Sequence, residues 1–270
     1  MFVLGSDQLW RDMFIQGLNN FSLLDWVDLN KYKMSYGTSF GVNTFNPDEK
    51  IRVVVGKLLS RFQSISVREN SGADILKNIF GLRGEHVLNP VFLPDAKYYD
   101  EMAFNGRIRL PDNSYVGTYF LDPSKETANF LKKAAEKLTS GVYHSIIAEN
   151  SPSIEEWLAA TKYSDFWLTD SFHGTCLALI FRKQFCVIYD KKNWRGWDRF
   201  SSILKLLNLE SRVVEPTNIE KFEEVLNIPI DYEKVTPLLQ KEIAKSKTWL
   251  RESLEMAKHF RGYPDSMNKA

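Results

Sequence analysis

The sequence predicts an α/β protein built on parallel sheets. Three observations carry that expectation: short apolar runs alternate with longer amphipathic stretches, most runs end in small or polar residues, and 270 residues exceed one ordinary core. The strands expected are Phe2 to Gly5, Lys33 to Ser39, Ser64 to Val67, Glu85 to Leu88, Ser114 to Phe120, Tyr143 to Ala148, Phe166 to Thr169 and Phe185 to Tyr189. Between them, periodic apolar positions predict helices over Pro47 to Phe62, Ser71 to Phe80, Ser124 to Leu138, Ser153 to Lys162, Gly174 to Phe181 and Arg199 to Leu207. Asn70, Ser71, Ser124 and Ser153 stand where helix N-caps belong. Two prolines interrupt NPVFLPDAKYYD (89–100), which predicts an interdomain linker there. A last helix, Tyr232 to Phe260, carries Leu239, Ile243, Leu250, Leu254 and Ala257 along one face and is expected to pack on the protein.

Composition narrows the function classes. Thirty-five Lys and Arg against 34 Asp and Glu leave a net charge of +1, so no overall field recruits nucleic acid or an anionic membrane, and any anion site is local. Cys176 and Cys186 lie in apolar runs, which favours a reducing, cytoplasmic setting. The four histidines are scattered and neither CxxC nor HExxH occurs, so no metal is expected. Walker A and GxGxxG loops are absent from the sequence as well.

The stretch FWLTDSFHGTCLALIF (166–181) reads as strand, polar turn and apolar helix. It places Asp170, Ser171, His173 and Gly174 at a strand's carboxyl edge and a helix N-terminus, where open α/β sheets bind anions. The alternative is that Asp170 or Ser171 caps the helix and His173 is structural. Three other turns share this position: VLGSDQLW with Ser6, Asp7 and Gln8, SYGTSFG with Ser39 and Gly41, and SISVREN with Arg68 and Glu69. Taken alone, Arg68 with Glu69 reads equally as a surface ion pair. The segment YDKKNWRGWDR (189–199), containing Arg195, suits a loop on a sugar face and a phosphate, or a solvated basic loop.

Taken in order, GSDQLW, KMSYGTSFG, ISVREN, NPVFL, TDSFHGTCLALIFRKQFCVIY and RFSSILKLLNLESRVV resemble the polysaccharide pyruvyl transferase family, from Phe2 to about Val214. The resemblance implies a GT-B-like fold of two Rossmann-like lobes with parallel sheets: an N-terminal lobe over 1–92, a C-terminal lobe over 93–231, and a helix and tail over 232–270. It implies transfer of the enolpyruvyl unit of phosphoenolpyruvate to a sugar as a pyruvate ketal, in polysaccharide biosynthesis for the cell envelope. Phosphoenolpyruvate is then the donor substrate, with no further cofactor, and a glycan or lipid-linked oligosaccharide is the acceptor.

The family's SxRE arginine and S-x-HG histidine fall on Arg68 and His173, both at the phosphoenolpyruvate site. His173 is then expected as general acid or phosphate ligand, Asp170 or Asp7 as the base on the attacking hydroxyl or as the group that orients His173, and Ser6, Gln8, Ser39, Ser171, Gly174 and Arg195 as further substrate contacts. Asn89-Pro90 replaces the family's Asp-Pro, and the chain starts at the GSDQ strand, so the first lobe is expected to lack its opening βαβ stretch. Self-association through an exposed Phe2 edge, and contact with the inner membrane face, stay open. So do two other functions: a GT-B glycosyltransferase using a nucleotide sugar, and a catalytically silent scaffold.

Overall fold

The computed structural model describes residues 1–17, 20–107, 110–111, 113–121, 123–139, 143–147, 152–189 and 196–262. The chain forms two compact units, one from Met1–Leu93, Arg195–Ile203 and Pro237–Ala270, the other from Pro94–Trp194 and Leu204–Thr236.

In the first unit, β1 (Phe2–Leu4), β2 (Lys33–Thr38), β3 (Ser64–Val67) and β4 (Glu85–His86) form a parallel sheet in sequential order. The intervening helices are α1 (Asp12–Gly17), α2 (Glu49–Leu59) and α3 (Asn70–Phe80). Strand alternation sorts the side chains by face. Leu4, Ile65 and Val67 join Trp10, Phe40, Leu59 and Leu76 in one apolar core. On the other face Tyr36 packs its ring on Trp249 of the last helix, α10 (Tyr232–His259), which belongs to this unit from Pro237 onward. Along α10, Leu239 is buried while Ile243, Leu250 and Leu254 are half-buried, so the expected apolar face does turn inward. Its most enclosed residues are nevertheless two serines, Ser246 and Ser253.

In the second unit, β5 (Val116–Phe120), β6 (Tyr143–Ile147), β7 (Phe166–Thr169), β8 (Gln184–Ile188) and β9 (Val213–Val214) are parallel in the order β6-β5-β7-β8-β9. The helices are α4 (Ala96–Gly106), α5 (Lys125–Thr139), α6 (Ile154–Tyr163), α7 (Phe172–Ile180), α8 (Trp197–Leu206), shared with the first unit, and α9 (Ile219–Leu226). One core joins Phe166, Leu168, Cys186 and Ile188 to Phe130 and Phe222, and another joins Ala103 of α4, Leu158 of α6 and Leu177 of α7. Gly106 lets α4 approach α6: a Cβ there would lie 2.1 Å from the Glu155 carbonyl oxygen.

The structure corrects several sequence expectations. The second half of the expected linker, 96–100, is the start of α4, because Asp95 accepts the Lys97 N–H and turns Pro94-Asp95 into a helix entrance. Helices α1 and α9 and strand β9 were not expected; each is short, and periodicity over so few residues gives no signal. Helix α3 starts at Asn70 with Glu69 as its N-cap, so neither Asn70 nor Ser71 caps it. Helix α7 starts at Phe172, two residues before the expected Gly174. Ser153 does cap α6, in a reciprocal box with Glu156. Among the described residues, no helix is long and apolar enough to cross a membrane.

The two buried serines of α10 make a matched test. Ser246 Oγ accepts the Leu88 N–H at 2.9 Å, whereas Ser253 Oγ has no hydrogen-bond partner among the described residues. Denaturant unfolding should show Ser246→Ala destabilised by about 1–3 kcal/mol, because a buried amide is orphaned, and Ser253→Ala unchanged or stabilised by about 1 kcal/mol.

Candidate functional site

In the first unit the turns after β1, β2 and β3 leave the same sheet edge and are tied together by their backbone. Ser39 N–H donates to the Asp7 carbonyl at 3.0 Å, and Trp10 N–H donates to the Ser39 carbonyl at 3.1 Å. Thr38 Oγ1 donates to the Gly5 carbonyl at 2.7 Å. β2 carries one extra residue against β3 between Ser35 and Thr38, with Gly37 at φ +59°. That conformation suits glycine, and the bulge re-aims the turn that follows. Ser66 secures it: its Oγ accepts the Gly37 N–H at 3.0 Å and donates to the Ser35 carbonyl at 2.9 Å.

The charged groups gather at this edge. Arg68 extends from the end of β3 with its side chain 1% exposed; Nη2 lies 3.3 Å from Asp7 Oδ1 and Nε 3.8 Å from Glu69 Oε2. Glu69 is fully buried and its Oε1 accepts the Phe40 N–H at 3.0 Å. Burial, the largest influence, holds the Glu69 pKa above its ordinary value; Ser39, Arg68, Arg199 and the Phe40 amide pull it back only in part. At Asp7 burial also acts upward, but the Gln8 amide, Arg68 and Arg199 outweigh it and leave the carboxyl below its ordinary range. His86 Nε2 sits 3.2 Å from the Arg68 carbonyl, donating to it, and burial lowers the imidazole pKa, so this ring supports the turn in neutral form.

Several expectations meet here. Asp7 and Arg68 are brought together, with Ser39 joined to them through Glu69. Ser39 Oγ accepts the Gly41 N–H at 2.9 Å. Gln8 lies against Gly41 and Gly196, where a Cβ would come within 3.0 and 2.5 Å of its amide group. Ser6 is half-buried beside Gly37. Arg195 lies outside the described residues. The surface-pair reading of Arg68 and Glu69 is wrong, since both side chains are out of solvent. Glu69, which the sequence places in the same turn as Arg68, is a buried participant, and Arg199 of α8, whose charge acts on both Asp7 and Glu69, is one that sequence reasoning missed. The alternation of small and apolar residues in SISV, immediately ahead of Arg68, was the available signal for a buried pair.

In the second unit the strand order reverses between β5 and β7, which makes the carboxyl ends of these strands the switch point where doubly wound sheets take ligands. Asp170, Ser171, His173 and Gly174 all fall there. Asp170 Oδ1 accepts the Leu121 N–H at 2.8 Å, and Thr169 Oγ1 donates to the Tyr119 carbonyl at 2.6 Å, so the two turns are held as one. Ser171 is the N-cap of α7, its Oγ accepting the Gly174 N–H at 3.3 Å. His173 occupies the first turn of α7, half-buried, its ring edge-on to Phe172 at 5.8 Å. At Gly174 a Cβ would stand 2.5 Å from Thr169 Oγ1, so the helix lies close on the strand end.

Two α/β units each carry charged and polar groups at the carboxyl ends of parallel strands, the edge at which sheets of this kind take ligands. Residues 1–192 match the polysaccharide pyruvyl transferase family, and the chain belongs to that family of transferases, which act on glycan acceptors. No curated protein matches the chain. Among solved structures, the wall teichoic acid polymerase TagF, in a form soaked with CDPG, is similar at 14% identity, covering 90% of this chain and 70% of that one with a TM-score of 0.46.

The helix-cap geometry has its own test. Ser171→Ala should cost about 1 kcal/mol of stability and Ser171→Asp much less, as for a capping side chain. Gly174→Ala should cost about 1–3 kcal/mol through the clash with Thr169. Thermal unfolding of the three variants checks this; an unchanged Ser171→Ala would remove the cap assignment.

Proposed function

We propose that this chain moves the enolpyruvyl group of phosphoenolpyruvate onto two hydroxyls of a sugar, forming a cyclic pyruvate ketal and releasing phosphate. The observation that carries the reading is Arg68: a guanidinium 1% exposed at the carboxyl edge of β3, with Nη2 directed at a carboxylate that is itself 77% exposed. A planar guanidinium held this way suits a carboxylate or phosphate, both of which phosphoenolpyruvate carries. Membership of the family supplies the glycan acceptor and the transferase class.

The chemistry requires a proton at the donor's methylene carbon, which leaves a cationic C2. The first sugar hydroxyl adds there and loses its proton to a base. The second hydroxyl then forms the other C2–O bond as the bond to phosphate breaks, and its proton leaves with the phosphate. His173 is the acid, since an imidazole transfers a proton near neutral pH. The N-terminus of α7 favours negative charge, which suits a departing phosphate. Asp170 is committed to the Leu121 amide and holds the two turns. Asp7, exposed beside Arg68, is the carboxylate for the attacking hydroxyl.

Arg68→Lys keeps the charge and loses the fork, so calorimetry should show weaker phosphoenolpyruvate binding with little change in fold stability. His173→Gln should bind the donor nearly normally and form ketal about 10²- to 10⁴-fold more slowly. A parallel fall in binding and turnover would make His173 a phosphate ligand. Two variants indistinguishable from wild type in binding and in phosphate release would overturn the site.

A further inference from the structure

The Arg68 guanidinium has an inner and an outer edge. Its Nε faces Glu69 Oε2 at 3.8 Å, where neither side chain meets solvent, whereas Nη2 faces Asp7, which is 77% exposed. The inner carboxylate is tied to more than the arginine. Glu69 Oε1 accepts the Phe40 N–H at 3.0 Å, fixing the β2 turn, and the charge of Arg199 on α8 acts on the same carboxylate. Glu69 Oε2 is buried without a hydrogen-bond partner among the described residues, so its approach to Arg68 is electrostatic and sets direction without closing a bidentate pair. Three segments distant in sequence thus converge on one carboxylate: Ser39 with Phe40, Arg68, and Arg199 at the start of α8.

We propose that Glu69 is a positioning residue: it holds the Arg68 guanidinium from behind, so that Nη2 is presented to the donor's anionic group. Glu69 itself does not touch substrate. The inference rests on the reading of Arg68 as the phosphoenolpyruvate ligand and adds what orients it. Supporting a binding side chain through buried charges and hydrogen bonds is how it keeps its geometry without being rebuilt at each binding event. A buried glutamate serving only the fold would act through its shape and its Phe40 hydrogen bond, both of which glutamine retains.

The test is a double-mutant cycle read by calorimetry, with phosphoenolpyruvate and with inorganic phosphate as probes, and circular dichroism to confirm folding. Glu69→Gln should weaken binding of both probes about tenfold. In an Arg68→Lys background the same change should add less than about twofold, because a residue that acts through Arg68 has nothing left to orient. Glu69→Asp, which keeps the charge but withdraws it, should fall between wild type and Glu69→Gln, and it carries the comparison if the glutamine variant does not fold. Wild-type affinity in Glu69→Gln, or a full tenfold loss that persists beside Arg68→Lys, overturns the positioning role alone. Failure of the wild type to bind either probe overturns the donor assignment of Arg68, and this inference with it.

Discussion

The arrangement depends on a cation kept out of water at the end of a strand. Arg68 is buried beside a buried glutamate, and such a pair is not a source of stability: desolvating each ion costs several kcal/mol. Two unit charges about 4 Å apart regain about 4 kcal/mol at an effective dielectric near 20, which recovers only part of the cost of desolvating both. A pair of this kind is better understood through what it orients. Here it turns one edge of a guanidinium toward the exposed Asp7 while the backbone on either side is pinned by His86 and by the Phe40 amide.

The sheet supplies that rigidity. The bulge at Gly37 advances the β2 turn by one residue, and Ser35 and Ser66 absorb the polar groups that the bulge unpairs. Without it the strand would deliver a different residue to the position from which Phe40 reaches Glu69. In the second unit, the hydroxyl of Thr169 and the carboxylate of Asp170 join the β5 and β7 turns, and Gly174 admits α7 close against them. Both units therefore use small residues and short polar side chains to fix their turns, and the first adds a buried glutamate to that task.

The strands were legible because each is a compact apolar run bounded by turn residues; Ser64–Val67 and Phe166–Thr169 have the expected bounds. The order β6-β5-β7-β8-β9 was not, since the position of a strand in a sheet follows from crossovers that leave no local mark. Helix α4 was hidden by prolines that mark an entrance as readily as a linker. For the site, type and position at strand ends were enough to single out Asp7, Arg68, Asp170 and His173. The arrival of Arg199 was not readable, because it depends on α8 returning to the first unit after a hundred residues spent in the second. The cap function of Ser171 lay in the sequence as an alternative to substrate contact, and the close approach of α7 at Gly174 emerges only from the geometry.

The most direct measurement is of the reaction itself, run in heavy water with phosphoenolpyruvate and a glycan acceptor, with the product examined by mass spectrometry and released phosphate counted. Protonation at the methylene carbon ahead of hydroxyl attack predicts a ketal whose methyl group carries one deuterium, formed in equal amount with phosphate. Glycan extended at the expense of a nucleotide sugar, or phosphate released with no ketal on the acceptor, would contradict the account.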